Sequence, residues 1–253
     1  KNQEAATKLQ EKLFEFMASN SGQVKELEEA NKKLEKQLAS AEADFMKDAG
    51  DPEKYEEKQL EIFQTFCDKV ADMPEVGKTK KPSVAVLGQN GVGKSSLINA
   101  LVGKDVTPIG IIDTTKVVCK CYESSTTEFW DVPGCSEERA YTNLKDIMAM
   151  KEMHFIMIVY IDRCEHIMKL ERLVLACKVP YVVVRNKLDN ITEEEAKKNG
   201  FESRKDYLTS AYDAEKRKLK GNLVFVSAKQ KEGLDHLAKV PSQLNVDVQL
   251  VGE

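Results

Sequence analysis

The apolar positions of this chain follow two different rhythms, and the change comes near residue 82. Before it the spacing is helical. Leu9, Leu13, Phe16 and Met17 form one stripe, which stops at Ser19-Asn20-Ser21-Gly22. Val24, Leu27, Leu34, Leu38, Ala41 and Phe45 then keep the alternating three-and-four spacing of a packed seam, with Asn31 on it. Asp48-Ala49-Gly50-Asp51-Pro52 ends that segment, with Asp51 as N-cap and Pro52 at the first position of a third helix, about Glu53 to Ala71. The apolar face of this helix (Leu60, Ile62, Phe63, Phe66, Cys67 and Val70) is broader than a two-stranded seam requires. Two arrangements fit residues 1–77. One is a small helical bundle folded back on itself and on the domain C-terminal to it. The other is a dimeric coiled coil, in which a buried Asn31 would fix the register. The bundle is favoured, because Gly22 interrupts the pattern and the seam is short. Pro74 and Gly77 lead into a linker, 78–82, that contains Lys78, Lys80 and Lys81.

From residue 83 short β-rich runs alternate with helical stretches. The strands read as Val84 to Leu87, Val117 to Glu123, Thr127 to Trp130, His154 to Ile161, Tyr181 to Val184 and Leu223 to Val226, with Ser124-Ser125 turning the second into the third. Helices are expected over Ser96 to Leu101, Cys164 to Cys177, Thr192 to Lys198 and Ser203 to Lys220, and from near Gly233. This alternation predicts an α/β domain over 83–240, with a mostly parallel sheet flanked by helices, and a C-terminal tail over 241–253. Ligands of such sheets bind at the carboxyl ends of the strands.

Those strand ends carry the candidate chemistry. Gly88-Gln89-Asn90-Gly91-Val92-Gly93-Lys94-Ser95 fits G-x-x-x-x-G-K-[ST] between a strand and a helix. Its glycines let the main chain turn tightly around phosphate oxygens, Lys94 adds a charge that reaches them, and the Ser95 hydroxyl suits Mg2+. The helix that starts here points its positive end at the anion. Asp131, in Asp131-Val132-Pro133-Gly134, ends the next strand, where a carboxylate can hold Mg2+ directly or through water. Asn186-Lys187-Leu188-Asp189 and Ser227-Ala228-Lys229 lie at two later strand ends. A carboxylate at Asp189 can accept from both the ring N–H and the amine of guanine. Adenine offers neither donor and would leave that acceptor unpaired.

Composition narrows the field further. The 253 residues carry a net charge of −4, which lends no support to nucleic-acid binding through a basic field. No apolar run is long enough to span a membrane. The chain opens on Lys1 rather than Met, as a fragment would, so an N-terminal lipidation signal would lie outside it; its last residues are not a prenylation box. Six cysteines lack metal-ligand spacing and read as reduced thiols of a cytoplasmic protein, although Cys119 and Cys121 would share one face of a regular strand.

Taken together, these residues resemble the Ras-like P-loop GTPases over 83–240. Within that superfamily Phe129-Trp130-Asp131-Val132-Pro133-Gly134 is similar to the F-W-D-L-P-G of the immunity-related, interferon-inducible GTPases, and the preceding helices and long Ser203 to Lys220 helix suit that group. Era-like GTPases share D-x-P-G and remain open. The resemblance implies GTP or GDP as bound nucleotide, Mg2+ as cofactor and GTP hydrolysis as activity. Gly88, Asn90, Gly91, Val92, Gly93, Lys94, Ser95 and Ser96 would then bind phosphate, with Ser95, Thr115 and Asp131 at the metal. Lys94, Thr115 and Gly134 would meet the γ-phosphate, with Thr114 the other choice for the switch threonine. Asn186, Lys187 and Asp189 would hold guanine together with Ser227, Ala228 and Lys229, the Ala228 N–H meeting the base carbonyl. Cys135 stands where Ras-like enzymes place the Gln that orients water. A thiol is a weak substitute, so slow turnover is expected, helped by a partner or by a second copy in a nucleotide-dependent dimer or oligomer. Arg139 or Arg163 would be candidate donors of positive charge. A nucleotide-bound scaffold with little turnover is the other functional reading, and membrane association is suggested by family analogy alone.

Overall fold

The structure is a computed structural model and describes residues 11, 15, 18–48, 52–75, 77–106, 119–131 and 144–251. Its centre is a six-stranded sheet in the order β2-β3-β1-β4-β5-β6, comprising β1 (Ser83–Leu87), β2 (Cys119–Glu123), β3 (Glu128–Asp131), β4 (Phe155–Tyr160), β5 (Tyr181–Arg185) and β6 (Asn222–Phe225). All neighbours are parallel except β2, which forms an antiparallel hairpin with β3. A register shift between Lys120 and Tyr122 interrupts β2. Such a bulge interrupts the regular alternation of side chains along a strand.

The middle positions of β1, β4 and β5 are apolar because both faces of these strands are covered. Successive side chains go to opposite sides. Ala85 and Leu87 of β1, Ile156 and Ile158 of β4, and Val183 of β5 join one core, whereas Val84, Val86, Met157, Val159, Val182 and Val184 join the other. The second core is closed by α3 (Lys94–Val102), by α8 (Leu234–Gln243) and by Val248 and Leu250 beyond it. The first is closed by α4 (Leu144–Glu152), by α5 (Met168–Ala176) and by the N-terminal helices α1 (Ser21–Asp48) and α2 (Pro52–Asp72). Helix α4 has no counterpart in the sequence reading.

The N-terminal helices explain the broad apolar face of the third predicted helix. On one side α2 meets α1, antiparallel, since Glu26 near the start of α1 lies 3.8 Å from Lys69 near the end of α2. On the other side it meets α5: Phe63, Phe66, Cys67 and Val70 share a core with Leu170, Leu173 and Val174. Polar ties fasten the rim, from Lys169 Nζ to Gln59 Oε1 (2.6 Å) and from Arg172 Nη1 to Gln64 Oε1 (3.1 Å). The seam residues Val24, Leu27, Leu34 and Ala41 are thus buried within a single chain.

Two expected helices are sharper than their patterns. Cys164 to Cys177 divides into a 3-10 turn, Cys164–Ile167, followed by α5. Ser203 caps α7 (Arg204–Lys218), its hydroxyl accepting from the Asp206 N–H at 3.2 Å. The short α6 (Glu193–Lys198) is capped by Thr192, which accepts from the Glu195 N–H at 3.1 Å, and carries three Glu in its first turn, where the helix dipole favours anions.

Candidate nucleotide-binding site

The loop between β1 and α3 is shaped by backbone that only glycine adopts easily. Gly88 has φ 144°, and a Cβ there would fall 2.1 Å from the Val159 carbonyl oxygen. Gly93 has φ 91°, and its Cβ would fall 2.5 Å from Asn186 Nδ2. Between them Asn90 and Gly91 are exposed, while Val92 is buried in the core and anchors the loop. Lys94 begins α3, and its ammonium donates to the carbonyls of Gly88 (2.9 Å) and Gln89 (3.2 Å), held against the loop it follows. Ser95 and Ser96 are half-buried in the first turn of α3.

Asn186, directly after β5, is buried and has both ends of its amide in use. Its Nδ2 donates to the Val92 carbonyl at 3.0 Å, and its Oδ1 accepts from the Ala228 N–H at 3.1 Å. It therefore straps the phosphate-type loop to the loop after β6. The Ala228 amide, expected to meet a base carbonyl, is engaged by Asn186 in this structure. Lys187 follows in the left-handed region (φ 62°), which turns the chain into the 3-10 turn Leu188–Asn190. Asp189 on that turn accepts from the Ser227 hydroxyl at 2.6 Å, and the same hydroxyl accepts from the Gln230 N–H at 3.1 Å. One carboxylate oxygen is thus oriented by the next loop, and acceptor capacity remains on the other.

These pieces converge on one cleft of about 650 Å³, lined by Gly93 and Ser96, by Asn186, Lys187 and Asp189, and by Ala228 and Lys229. Lysines on two loops surround an acidic group, an arrangement that suits a base at one end and an anionic tail at the other. The sequence reading missed the opposite wall, Asn99, Lys104 and Asp105. Gly103, a left-handed C-cap at φ 78° just past α3, was the available signal that the chain turns there. Asn99 fixes that turn, donating to Asp105 Oδ1 (3.4 Å) and accepting from the Val106 N–H (3.0 Å).

Asp131 ends β3, and its backbone pairs with Val86, two residues before Gly88. Thr114, Thr115, Gly134, Cys135 and Arg139 lie outside the described residues. Arg163 lies just past β4, exposed and 3.9 Å from Glu165. No group of three His, Cys, Asp or Glu among the described residues could hold a metal by itself, and Cys67, Cys164 and Cys177 are free thiols. Burial pushes the thiols of Cys67, Cys164 and Cys177 up to about 12, so these are inert packing groups. Below the site Arg185 donates to Glu215 Oε1 at 2.8 Å, and the Tyr160 hydroxyl donates to the other oxygen. Burial holds the Glu215 carboxyl above its ordinary range, with Tyr160 and Arg185 opposing.

A glycine-rich loop after the first strand of a mostly parallel sheet, with N-K-x-D and S-A-K loops at the following strand ends, defines a P-loop GTPase of the Ras-like type. The chain belongs to the interferon-inducible GTPase (IIGP) family, whose model matches residues 56–224. The family is described as one of interferon-inducible GTPases. Among curated proteins it is similar to the transmembrane GTPase Marf of Drosophila melanogaster, with 33% identity over 90 residues, 35% of this chain. That match spans only 11% of Marf. The probable GTP-binding protein EngB of Mycoplasma genitalium is 21% identical over 141 residues, 51% of this chain and 74% of EngB. Among solved structures, a variant of Aquifex aeolicus Era bound to GDP·AlF4− aligns with a TM-score of 0.47 and 22% identity, over 69% of this chain and 59% of that one. Among the described residues no helix is long and apolar enough to cross a membrane.

Proposed function

We propose that the chain is a Mg2+-dependent GTP switch, in which residues 83–240 act as the GTPase domain and residues 1–77 as a helical region folded onto it. The observation that carries this reading is Asp189, oriented by Ser227 and facing the same cleft as Gly93 and Ser96. Gly88, Asn90, Gly91, Val92, Gly93, Lys94, Ser95 and Ser96 are assigned to the phosphates. Lys187 and Asp189 are assigned to guanine, with Ser227 and Lys229 supporting them. A base carbonyl would compete with Asn186 for the Ala228 N–H. Hydrolysis is phosphoryl transfer to water, achieved chiefly by positioning and charge stabilisation. Lys94, Thr115 and the Gly134 backbone are assigned to the γ-phosphate.

The residues proposed for Mg2+ fit a hard cation. Ser95 stands in the first turn of α3, Asp131 ends the neighbouring strand, and these two with Thr115 are oxygen donors. When bound, Mg2+ supplies charge neutralisation at the β- and γ-phosphates. With Cys135 in place of a water-orienting Gln, turnover by the isolated chain is slow, and a second copy or another partner completes the site. The free thiols of Cys67, Cys164 and Cys177 support a reducing, cytoplasmic setting.

Nucleotide competition tests the base assignment. In the unmodified protein GTP should displace a bound guanine nucleotide far better than ATP. Asp189→Asn should shift preference toward xanthine nucleotides, because the new amide donates where the carboxylate accepted. Equal competition by ATP would sink the proposal.

A further inference from the structure

One side chain outside the cleft holds the two base-side loops together. Arg204, the first residue of α7, donates from Nε to the Ile191 carbonyl (2.8 Å) and from Nη2 to the Leu188 carbonyl (3.1 Å). Those carbonyls bracket Asp189, one on either side. The same guanidinium grips Glu232 with both of its terminal nitrogens, Nη1 to Oε1 at 3.3 Å and Nη2 to Oε2 at 2.9 Å. Glu232 in turn is paired through its backbone with Ser227, N–H to carbonyl in both directions, at 3.0 and 3.1 Å. Ser227 is the residue whose hydroxyl orients Asp189. The result is a closed ring: Asp189, its own turn, Arg204, Glu232, Ser227 and back to Asp189.

We propose that Arg204 and Glu232 are positioning residues for base recognition, setting the angle at which the Asp189 carboxylate meets the N–H and amine of guanine. The proposal rests on the guanine assignment above. The ion pair alone would carry little weight, since both side chains are partly exposed and such pairs contribute weakly. Its importance lies in where the other two hydrogen bonds go. They end on carbonyls of an irregular turn that has no sheet or long helix to define it. Arginine is needed because its planar fork can serve a carboxylate and backbone carbonyls at once. A lysine ammonium has three donors and no such plane. Two hydrogen bonds to one base demand alignment of both carboxylate oxygens, so a small rotation costs the second bond before the first.

Discrimination between guanine and hypoxanthine, which lacks the exocyclic amine, reads that second bond. The expected result is that Arg204→Ala reduces the GDP-to-IDP affinity ratio about tenfold, roughly the worth of one charge-assisted hydrogen bond. Arg204→Lys and Glu232→Gln should fall between it and the unmodified protein. A ratio unchanged in folded variants, whether or not both affinities drop together, would show a merely structural fastening and overturn the proposal. If Arg204→Ala does not fold, Glu232→Gln and Arg204→Lys decide by the same criterion. Asp189→Ala serves as the reference. If it leaves the ratio untouched, the guanine assignment fails. If it abolishes the ratio while the clamp variants do not move it, only the clamp fails.

Discussion

A methyl group on Gly93 would sit 2.5 Å from Asn186 Nδ2, in a backbone conformation at φ 91° that disfavours any side chain. The clash falls on the strap that joins the phosphate-type loop to the loop after β6. Gly93→Ala should therefore weaken GDP binding by about thirtyfold or more, since about 1–3 kcal/mol of backbone strain adds to a lost buried hydrogen bond of about 1 kcal/mol. Isothermal titration on a variant that still melts cooperatively would check this, and near-normal affinity would refute the strap. At this scale the sequence was most legible where residue type and chemistry coincide: glycines beside an anion, a carboxylate for guanine. Asn186 was found as a motif member, but its two protein partners were not foreseeable, because both are backbone groups from distant parts of the chain. Arg204 was invisible for another reason. One arginine at the start of a charged helix has no periodicity or spacing to mark it.

Among the elements, the clearest misfit is Asn31. It lies on the seam of α1, and its Oδ1 is buried with no hydrogen-bond partner among the described residues. In a dimeric coiled coil that position could fix register. Within one chain, where Leu27 and Leu34 on either side pack into the core, it is a cost. Asn31→Leu should raise stability by about 1 kcal/mol, read as a higher urea midpoint at unchanged slope; a lower midpoint would mean that the amide has a structural task. Helix positions were legible from apolar spacing, and the breadth of the α2 face announced a second partner without naming it. That partner, α5, could not be inferred, because a face shows how much it must bury and not against what. The bulge in β2 was equally hidden, since an extra residue in a strand leaves the composition unchanged.

For the whole molecule, the sheet separates two cores that answer to different parts of the chain. The proposed nucleotide-bearing loops rest on the core with α3 and α8, whereas the N-terminal hairpin belongs to the opposite one, together with α4 and α5. Self-association, if it completes the catalytic group that Cys135 lacks, must be read on the intact protein. Light scattering should show a larger mass with a non-hydrolysable GTP analogue than with GDP, and equal masses would leave catalysis to another partner. The pairing of α2 with α5 also bears on how the chain is made. Gln59 and its partner Lys169 are 110 residues apart. During synthesis α1 can close on α2 almost at once, but the other side of α2, with Phe66 on it, lacks its α5 partner until α5 is translated. At usual elongation rates that delay is about 5–20 s. For that interval a greasy helix face stands open at the mouth of the ribosome, which makes the nascent hairpin, rather than the nucleotide loops, the part of this protein most in need of a chaperone.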